Sequence, residues 1–151
     1  MSEQDQQQAV FGIEKLYVKD MSVEVPNAPQ IFLEREAPQI DVQLATQNTN
    51  VGDGVFEIVL TATITAKLGE KVMFLVETAQ AGIFRIENVP ADQMGAVLGI
   101  GCPNIVFPYL RETISDVVSR AGFPPVILNP VNFEAMYMQQ QQAPAPGTPL
   151  N

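Results

Sequence analysis

Apolar and polar residues alternate in four segments between Phe11 and Ile86. A two-residue period is typical of a strand with one buried face, because successive side chains point to opposite sides of a sheet. The alternation predicts strands over residues 11–25, 40–46, 56–66 and 71–86. A glycine turn at residues 68–70 joins the last two as a hairpin, and the polar run at residues 47–54 predicts a long turn after the second strand.

The segment between the first two strands contains prolines at positions 26, 29 and 38, which oppose regular ladder pairing. Ile31, Phe32 and Leu33 lie in its middle. The pattern predicts a long crossing loop with an apolar patch.

After Pro90 the apolar residues recur at helical spacing. We predict a short helical stretch over residues 91–100, an interruption around the Gly-Cys-Pro sequence at residues 101–103, and a longer helix that continues to Ala121.

Asn129 and Pro130 are typical of a helix start and predict a last helix with Phe133, Met136 and Tyr137 on its apolar face. Strands followed by helices indicate an α+β fold. The expected architecture is a four-stranded antiparallel sheet with two C-terminal helices packed on one face.

We expect one folded domain over residues 11–138. Residues 1–10 are predicted to be a flexible N-terminal segment. Residues 139–151 are rich in glutamine and proline and predict a disordered tail, because this composition buries too little apolar surface to order itself.

The fourth strand is apolar on both faces near its start, where Val72, Phe74 and Val76 alternate with Met73 and Leu75. Such a strand needs a covering surface on each side. In a domain with one small sheet, a second copy of the chain is the simplest source of that surface, which predicts an oligomer.

The chain carries 17 acidic and 8 basic residues, for a net charge of −9. This charge repels phosphate backbones and anionic lipids, so we expect a basic protein partner rather than nucleic acid or a membrane. The sequence begins without the lysine and apolar run of a secretory signal, and no segment approaches the roughly 18 apolar residues of a membrane span. A cytoplasmic location is therefore expected.

The sequence contains no histidine, which excludes Ser/His and Cys/His nucleophile pairs and most zinc sites. It also lacks a GxxxxGK[ST] phosphate-binding loop, so we expect no ATP hydrolysis, no cofactor and no metal. Cys102 has no imidazole to activate it and is expected to be a small buried thiol.

Several short blocks, in their order and spacing, resemble the SecB family of bacterial protein-export chaperones. The resemblance covers roughly residues 10–138, the whole predicted domain. The blocks are YVKDMSVE at residues 17–24, PNAP at 26–29, GIF at 82–84, CPNIVFPY at 102–109, ETIS at 112–115, VSR at 118–120 and PVNF at 130–133.

The resemblance implies an ATP-independent chaperone that holds precursor proteins unfolded in the cytoplasm and delivers them to the motor protein SecA. It also implies a homotetramer built as a dimer of dimers. Composition and spacing alone predict only an acidic, oligomeric α+β domain.

The resemblance also implies a SecA-binding surface. In the family, acidic positions with an apolar one among them form a flat sheet surface that binds the small basic zinc-binding tail of SecA. The alternative is that these acidic side chains are simply solvated. The corresponding residues here are Asp20, Glu24, Leu75 and Glu77.

A groove for precursor proteins is expected to be apolar, because aromatic rings and flexible methionines accept many sequences. Pairing with a sheet edge would add backbone contacts. Core packing is the alternative for each candidate residue. The candidates are Ile31, Phe32, Ile40, Val42, Leu44, Phe133, Met136 and Tyr137.

Val76, Thr78 and Gln80 alternate onto the face opposite Glu77, where the family has the helix layer between its two dimers. We expect them to support assembly. Packing inside the domain is the alternative.

Two other functions are compatible with parts of the sequence. A SecB-like chaperone of a toxin-antitoxin system would keep the fold and change the client. An enzyme would use a carboxylate pair such as Asp20 and Glu77, but acid–base chemistry needs an enclosed cleft that a sheet face does not provide. We therefore do not expect an enzyme.

Overall fold

A computed structural model describes residues 8–142, which form an antiparallel sheet followed by helices. The order across the sheet is β1-β4-β3-β2, so the first two strands of the sequence form its two edges. The predicted four-stranded α+β architecture is confirmed. The strands are β1 (Val10–Glu24), β2 (Gln39–Gly52), β3 (Val55–Leu68) and β4 (Lys71–Glu87).

β1 contains two bulges, at Glu14 and Lys19. Neither residue has a partner in the register of β1 with β4. An extra residue in one strand changes the face that the following side chains occupy. Tyr17 lies opposite Ala81 and faces away from the helices, although simple alternation placed it on the same side as Phe11. The predicted alternation of this strand is therefore wrong at its centre.

β2 is longer than predicted and continues through the polar run to Gly52. Residues 47–50 of β2 pair one by one with β3, and this pairing overrides the weak strand propensity of asparagine. The predicted turn over residues 47–54 shortens to residues 53–54, where Gly54 has a φ of 69°.

The crossing loop runs from β1 at one edge of the sheet to β2 at the other, as predicted. A 3₁₀ helix at Gln30–Leu33 interrupts it and buries Ile31, which is 1% exposed. Asn27 Nδ2 donates a hydrogen bond to the Val72 carbonyl at 2.8 Å. This bond ties the loop to the start of β4.

The helical region after Pro90 is continuous rather than interrupted. Pro103 has no N–H and would break a regular helix. The turn before it widens instead, with the Cys102 N–H bonded to the Val97 carbonyl five residues back, so the chain continues without a break. The elements are α1 (Ala91–Ala96), a π-helical turn (Val97–Gly101), α2 (Cys102–Arg120) and, after a loop, α3 (Phe133–Gln142).

α2 lies across β3 and β4, and the core lies between them. Val106, Leu110 and Ile114 recur at helical spacing and are fully buried. Each such side chain contributes about 1.5–3 kcal/mol through burial. α3 packs mainly on the π-helical turn, and its Phe133 belongs to the same buried core as α2.

Both ends of the ordered elements differ slightly from the predicted boundaries. β1 begins at Val10, inside the segment predicted to be flexible. α3 continues to Gln142 and so includes the first four residues of the predicted tail, which starts at residue 139. The rest of the two predicted terminal segments, residues 1–7 and 143–151, lies outside the described residues.

The Tyr137 ring holds α3 against two glycines. A Cβ at Gly99 would lie 2.5 Å from Tyr137 Cδ1 and 2.9 Å from Cε1, and one at Gly95 would meet the tyrosine hydroxyl. Glycine is unfavourable inside a helix, so its use here is explained by the close approach of the ring.

We expect Gly99→Ala to displace α3, because the added methyl group occupies the space of the Tyr137 ring. Hydrogen exchange of the amides in residues 133–142 should become faster. Gly101→Ala is the matched control, since nothing lies within 4 Å of a Cβ there. Replacing glycine by alanine favours the helix by up to about 1 kcal/mol in both variants. In Gly99→Ala the clash with Tyr137 opposes this gain, so only Gly101→Ala should become more stable. Identical exchange rates in the two variants would contradict the role of the ring.

Candidate functional site

An open groove of about 950 Å³ lies between the edge strand β2, the crossing loop and the segment that follows α2. Its lining is mostly apolar. We call residues 122–131 the groove wall. The lining residues are Ile31, Phe32, Glu34, Arg35, Glu36, Ala37, Pro38, Ile40, Val42, Leu44, Met73, Phe74, Phe107 and the groove wall.

β2 supplies the apolar floor of the groove. Ile40, Val42 and Leu44 pair with Ala66, Ile64 and Ala62 of β3 and therefore lie on the face that carries the helices. Because α2 covers β3 and β4, these side chains stay accessible: Ile40 is 42% exposed and Val42 46%. The structure thus brings the predicted strand residues together at an uncovered sheet edge.

Stacked aromatic rings shape one end of the groove. Phe123 lies between Phe32 and Phe74, with ring centroids 5.1 and 4.9 Å away. Gly122 has a φ of 99°, and a Cβ there would lie 3.0 Å from the Phe32 ring. Phe32 remains half exposed at the rim, whereas Ile31 is buried beneath it.

The groove wall was not predicted to be a functional segment. Its prolines are residues 124, 125 and 130, and its apolar residues include buried Phe123 and Leu128 and the 68%-exposed Ile127. The crossing loop has the same combination of prolines and apolar residues, so composition was the available signal. Periodicity could not reveal it, because the wall is neither strand nor helix.

The predicted groove residues of the last helix are not among the residues that line the groove. Phe133 is 2% exposed and packs edge-on against Phe107 at a centroid distance of 5.7 Å. Met136 packs against the core and Tyr137 against Gly95 and Gly99. These three side chains hold α3 in place, and Phe133 also contacts Phe107, which lines the groove.

The face of the sheet opposite α2, here the outer face, carries all four predicted SecA-binding residues. Glu24 pairs with Leu75, and Asp20 and Glu77 lie further along the same two strands. The three acidic side chains are exposed and Leu75 is half-buried. Thr63 Oγ1 donates a hydrogen bond to Glu77 Oε2 at 3.2 Å. We call these four residues the acidic surface.

A second polar cluster on the outer face centres on Glu57. It accepts hydrogen bonds from the Tyr17 hydroxyl and from Lys19 Nζ, the latter at 2.9 Å. Burial, followed by the bond to Glu57, raises the pKa of Tyr17 to about 12. The bond from Tyr17, followed by that from Lys19, lowers the pKa of Glu57. The ion pair neutralises Lys19 and leaves the acidic surface with its negative charge.

β1 presents an apolar stripe on the same face as α2. The side chains come into line because the two bulges realign the strand. They are uncovered in the single chain, each between 42% and 49% exposed. We call this set the β1 stripe: Phe11, Ile13, Val18, Met21 and Val23.

The three residues expected to support assembly lie inside the domain, beneath α2. Val76 and Thr78 are fully buried, and Gln80 accepts a hydrogen bond from Thr113 Oγ1 at 2.9 Å. Because these side chains are buried, they do not reach the surface where a second subunit would bind. Their position agrees with the alternative interpretation, packing inside the domain.

Cys102 lies in the interior of the domain, and this position sets the protonation of its thiol. Cys102 is buried, and burial raises the pKa of its thiol to about 12, so it remains protonated at neutral pH. Among residues 8–142, no cluster of three or more His, Cys, Asp or Glu side chains is placed to hold a metal ion. No helix in this range is long and apolar enough to cross a membrane.

Comparison with known families and relatives gives a consistent result. A family model described as "Preprotein translocase subunit SecB" matches residues 4–144. "Protein-export protein SecB" of Thiobacillus denitrificans is 69% identical over 139 residues, covering 92% of this chain and 91% of the relative. The proteins of the same name from Dechloromonas aromatica and Chromobacterium violaceum are 66% and 63% identical and cover 93% and 96% of this chain, and 93% and 98% of their own length.

Among solved structures, the fold is similar to that of a SecB-like chaperone from Mycobacterium tuberculosis, which was solved in complex with a peptide from an antitoxin. The TM-score is 0.67 at 14% sequence identity, over 80% of this chain and 90% of the other. At this identity the likeness concerns the fold alone.

Proposed function

We propose that this chain, which belongs to the SecB family and is a chaperone for protein export, holds precursor proteins unfolded in the cytoplasm without ATP. It then delivers them to SecA. The observation that carries this proposal is the open apolar groove beside β2, whose outer edge pairs with no other strand among residues 8–142. A folded protein exposes few contiguous apolar patches, so a groove of this size needs an occupant.

Relatives between 63% and 69% identical are named as protein-export proteins, whereas the chaperone solved with an antitoxin peptide is only 14% identical. The toxin-antitoxin alternative is therefore not favoured.

The proposed occupant of the groove is an extended, non-native segment of a precursor. Its apolar side chains would contact Val42, Phe32 and Ile127, while its backbone would pair with the free edge of β2. The prolines of the groove wall cannot donate backbone hydrogen bonds, so β2 is the favoured pairing side. One long client occupying several grooves would bind more tightly than a single segment.

We expect Val42→Asn to weaken binding of a permanently unfolded protein, such as reduced α-lactalbumin, by about fivefold. The reason is the loss of about 1 kcal/mol of apolar contact from a half-exposed valine. Gln43→Asn, on the next residue but facing the outer side, should bind as the wild type does. Fluorescence anisotropy of the labelled ligand measures both.

If Val42→Asn and Gln43→Asn weaken binding equally, the unfolded protein does not bind in the groove. Equal affinity of the wild type for native and reduced α-lactalbumin would contradict the chaperone function itself.

For SecA, the proposed contact is the acidic surface. The residues lie on the outer face of the sheet, on the side opposite α2. Exposed charges of one sign favour a basic partner through steering and orientation, and such binding weakens with salt. Client and motor would then occupy opposite faces of the sheet.

The double variant Asp20→Lys/Glu77→Lys should weaken SecA binding by about tenfold or more, because it places like charges against a basic partner. Asp53→Lys/Asp92→Lys makes the same change in net charge at exposed positions outside the outer face and is the control. Calorimetric titration with SecA at two salt concentrations measures the effect. If both double variants lose the same affinity, net charge rather than the acidic surface is responsible.

We further propose a homotetramer built as a dimer of dimers. β1 is an edge strand with free backbone groups, and the β1 stripe leaves five apolar side chains uncovered beside it. A second β1 would continue the sheet and cover the stripe, as is typical of a self-complementary interface. Pairing of the helix layers would join two such dimers. Val76, Thr78 and Gln80 would support this layer only indirectly, by holding α2 on the sheet.

Met21→Asp should dissociate the assembly, because it buries an unpaired charge in the β1 stripe, at a cost of about 3–5 kcal/mol. Ser22→Asp, one residue along and facing outward, should keep the wild-type mass. Light scattering of both proteins at the same concentration provides the test. A wild type with the mass of a single chain would overturn the tetramer.

Catalysis is not part of the proposal. Asp20 and Glu77, the carboxylate pair considered for acid–base chemistry, are exposed on the open outer face rather than enclosed in a cleft. The family is one of chaperones, and we propose that binding alone accounts for the activity of this chain.

A further inference from the structure

Few backbone hydrogen bonds fix the position of the groove wall, although Phe123 and Leu128 are buried in the core and Val126 and Val131 pack against it. Three of its residues are prolines without an N–H. In the described chain, no backbone–backbone hydrogen bond reaches residues 124–131. A segment with few hydrogen bonds and an exposed Ile127 at its tip is expected to open locally unless side chains hold it.

Arg111 of α2 provides such a contact. Its Nε donates a hydrogen bond to the Leu128 carbonyl at 2.8 Å, and its guanidinium lies over the Phe107 ring, 4.9 Å from the centroid. Phe107 is one turn earlier on the same helix and lines the groove. Arg111 therefore contacts both the groove-lining Phe107 of its own helix and the far end of the groove wall at Leu128.

The two ends of the groove wall are held differently. At the first end, Phe123 is packed between two rings, stacked on Phe32 and tilted against Phe74, and its N–H bonds to the Val118 carbonyl at 3.2 Å. At the second end, Leu128 is buried and its carbonyl is bonded by Arg111. Hydrogen bonds from charged donors are stronger than those between neutral groups, so this bond is the strongest polar anchor of the wall.

We propose that Arg111 is a positioning residue for client binding: it holds the groove wall away from β2 and so keeps the groove open, without contacting the client. The inference rests on the proposed function of the groove. It assigns a role to a partly buried arginine that neither the acidic surface nor the β1 stripe uses.

The test compares three full-length variants. Arg111→Met keeps an unbranched apolar stem over Phe107 but removes every donor, and Arg111→Lys keeps the charge while losing the Nε geometry. Arg120→Met is the control, because it removes an arginine from the exposed last turn of the same helix. Binding of labelled, reduced α-lactalbumin should be about tenfold weaker for Arg111→Met, intermediate for Arg111→Lys and unchanged for Arg120→Met.

A second readout separates positioning from general destabilisation. The chain contains no tryptophan, so Ile127→Trp gives a single fluorescent reporter on the groove wall. Adding Arg111→Met to this protein should lower the anisotropy of the indole, while solution mass and SecA binding stay as in the parent. Should Arg111→Met fail to fold, Arg111→Lys decides, and it must show both weaker client binding and lower indole anisotropy.

Client binding within twofold of the wild type, or an indole anisotropy that the substitution leaves unchanged, overturns the role of Arg111. A wild type that does not bind reduced α-lactalbumin overturns the proposed function instead, so the two failures are distinguishable.

Discussion

One helix is narrower than a four-stranded sheet, and this difference determines which apolar side chains of the sheet are covered. Strands lie about 4.8 Å apart, so the sheet is roughly 15–20 Å wide, whereas a helix with its side chains is about 10 Å across. α2 therefore covers the two central strands, β3 and β4, and both edge strands keep apolar side chains uncovered. One uncovered edge forms the groove, and the other carries the β1 stripe.

The two edges differ in what surrounds them. β2 lies beside the crossing loop and the groove wall, two proline-rich segments that enclose a groove without forming a further strand. β1 has no such segment beside it among residues 8–142, so its stripe stays open for a flat, extended contact. On the outer face, β3 contributes Glu57 and the threonines at 61, 63 and 65, whereas β4 contributes Glu77 among apolar side chains such as Leu75 and Ala79. The three surfaces proposed for client, assembly and motor are separate because of this division.

Local patterns predicted most of the fold. The four strands, the β3–β4 hairpin and the crossing loop follow from alternation and proline placement, which act over a few residues. The errors arose where distant partners override local preference. Pairing with β3 extends β2 through asparagines, bulges reverse the face of Tyr17, and a π-helical turn carries the helix past Pro103.

The chemical character of the site follows from the amino acids alone: an acidic, histidine-free chain with an apolar crossing loop and alternating apolar residues on β2. The residue blocks also indicated the family and, with it, the residues of the acidic surface. Which apolar residues stay exposed depends on the packing of the elements. Ile31, Phe133 and Val42 are equally apolar in the sequence, yet only Val42 is left half exposed. Burial depends on which element lies on top, and that is set by contacts between residues far apart in the chain.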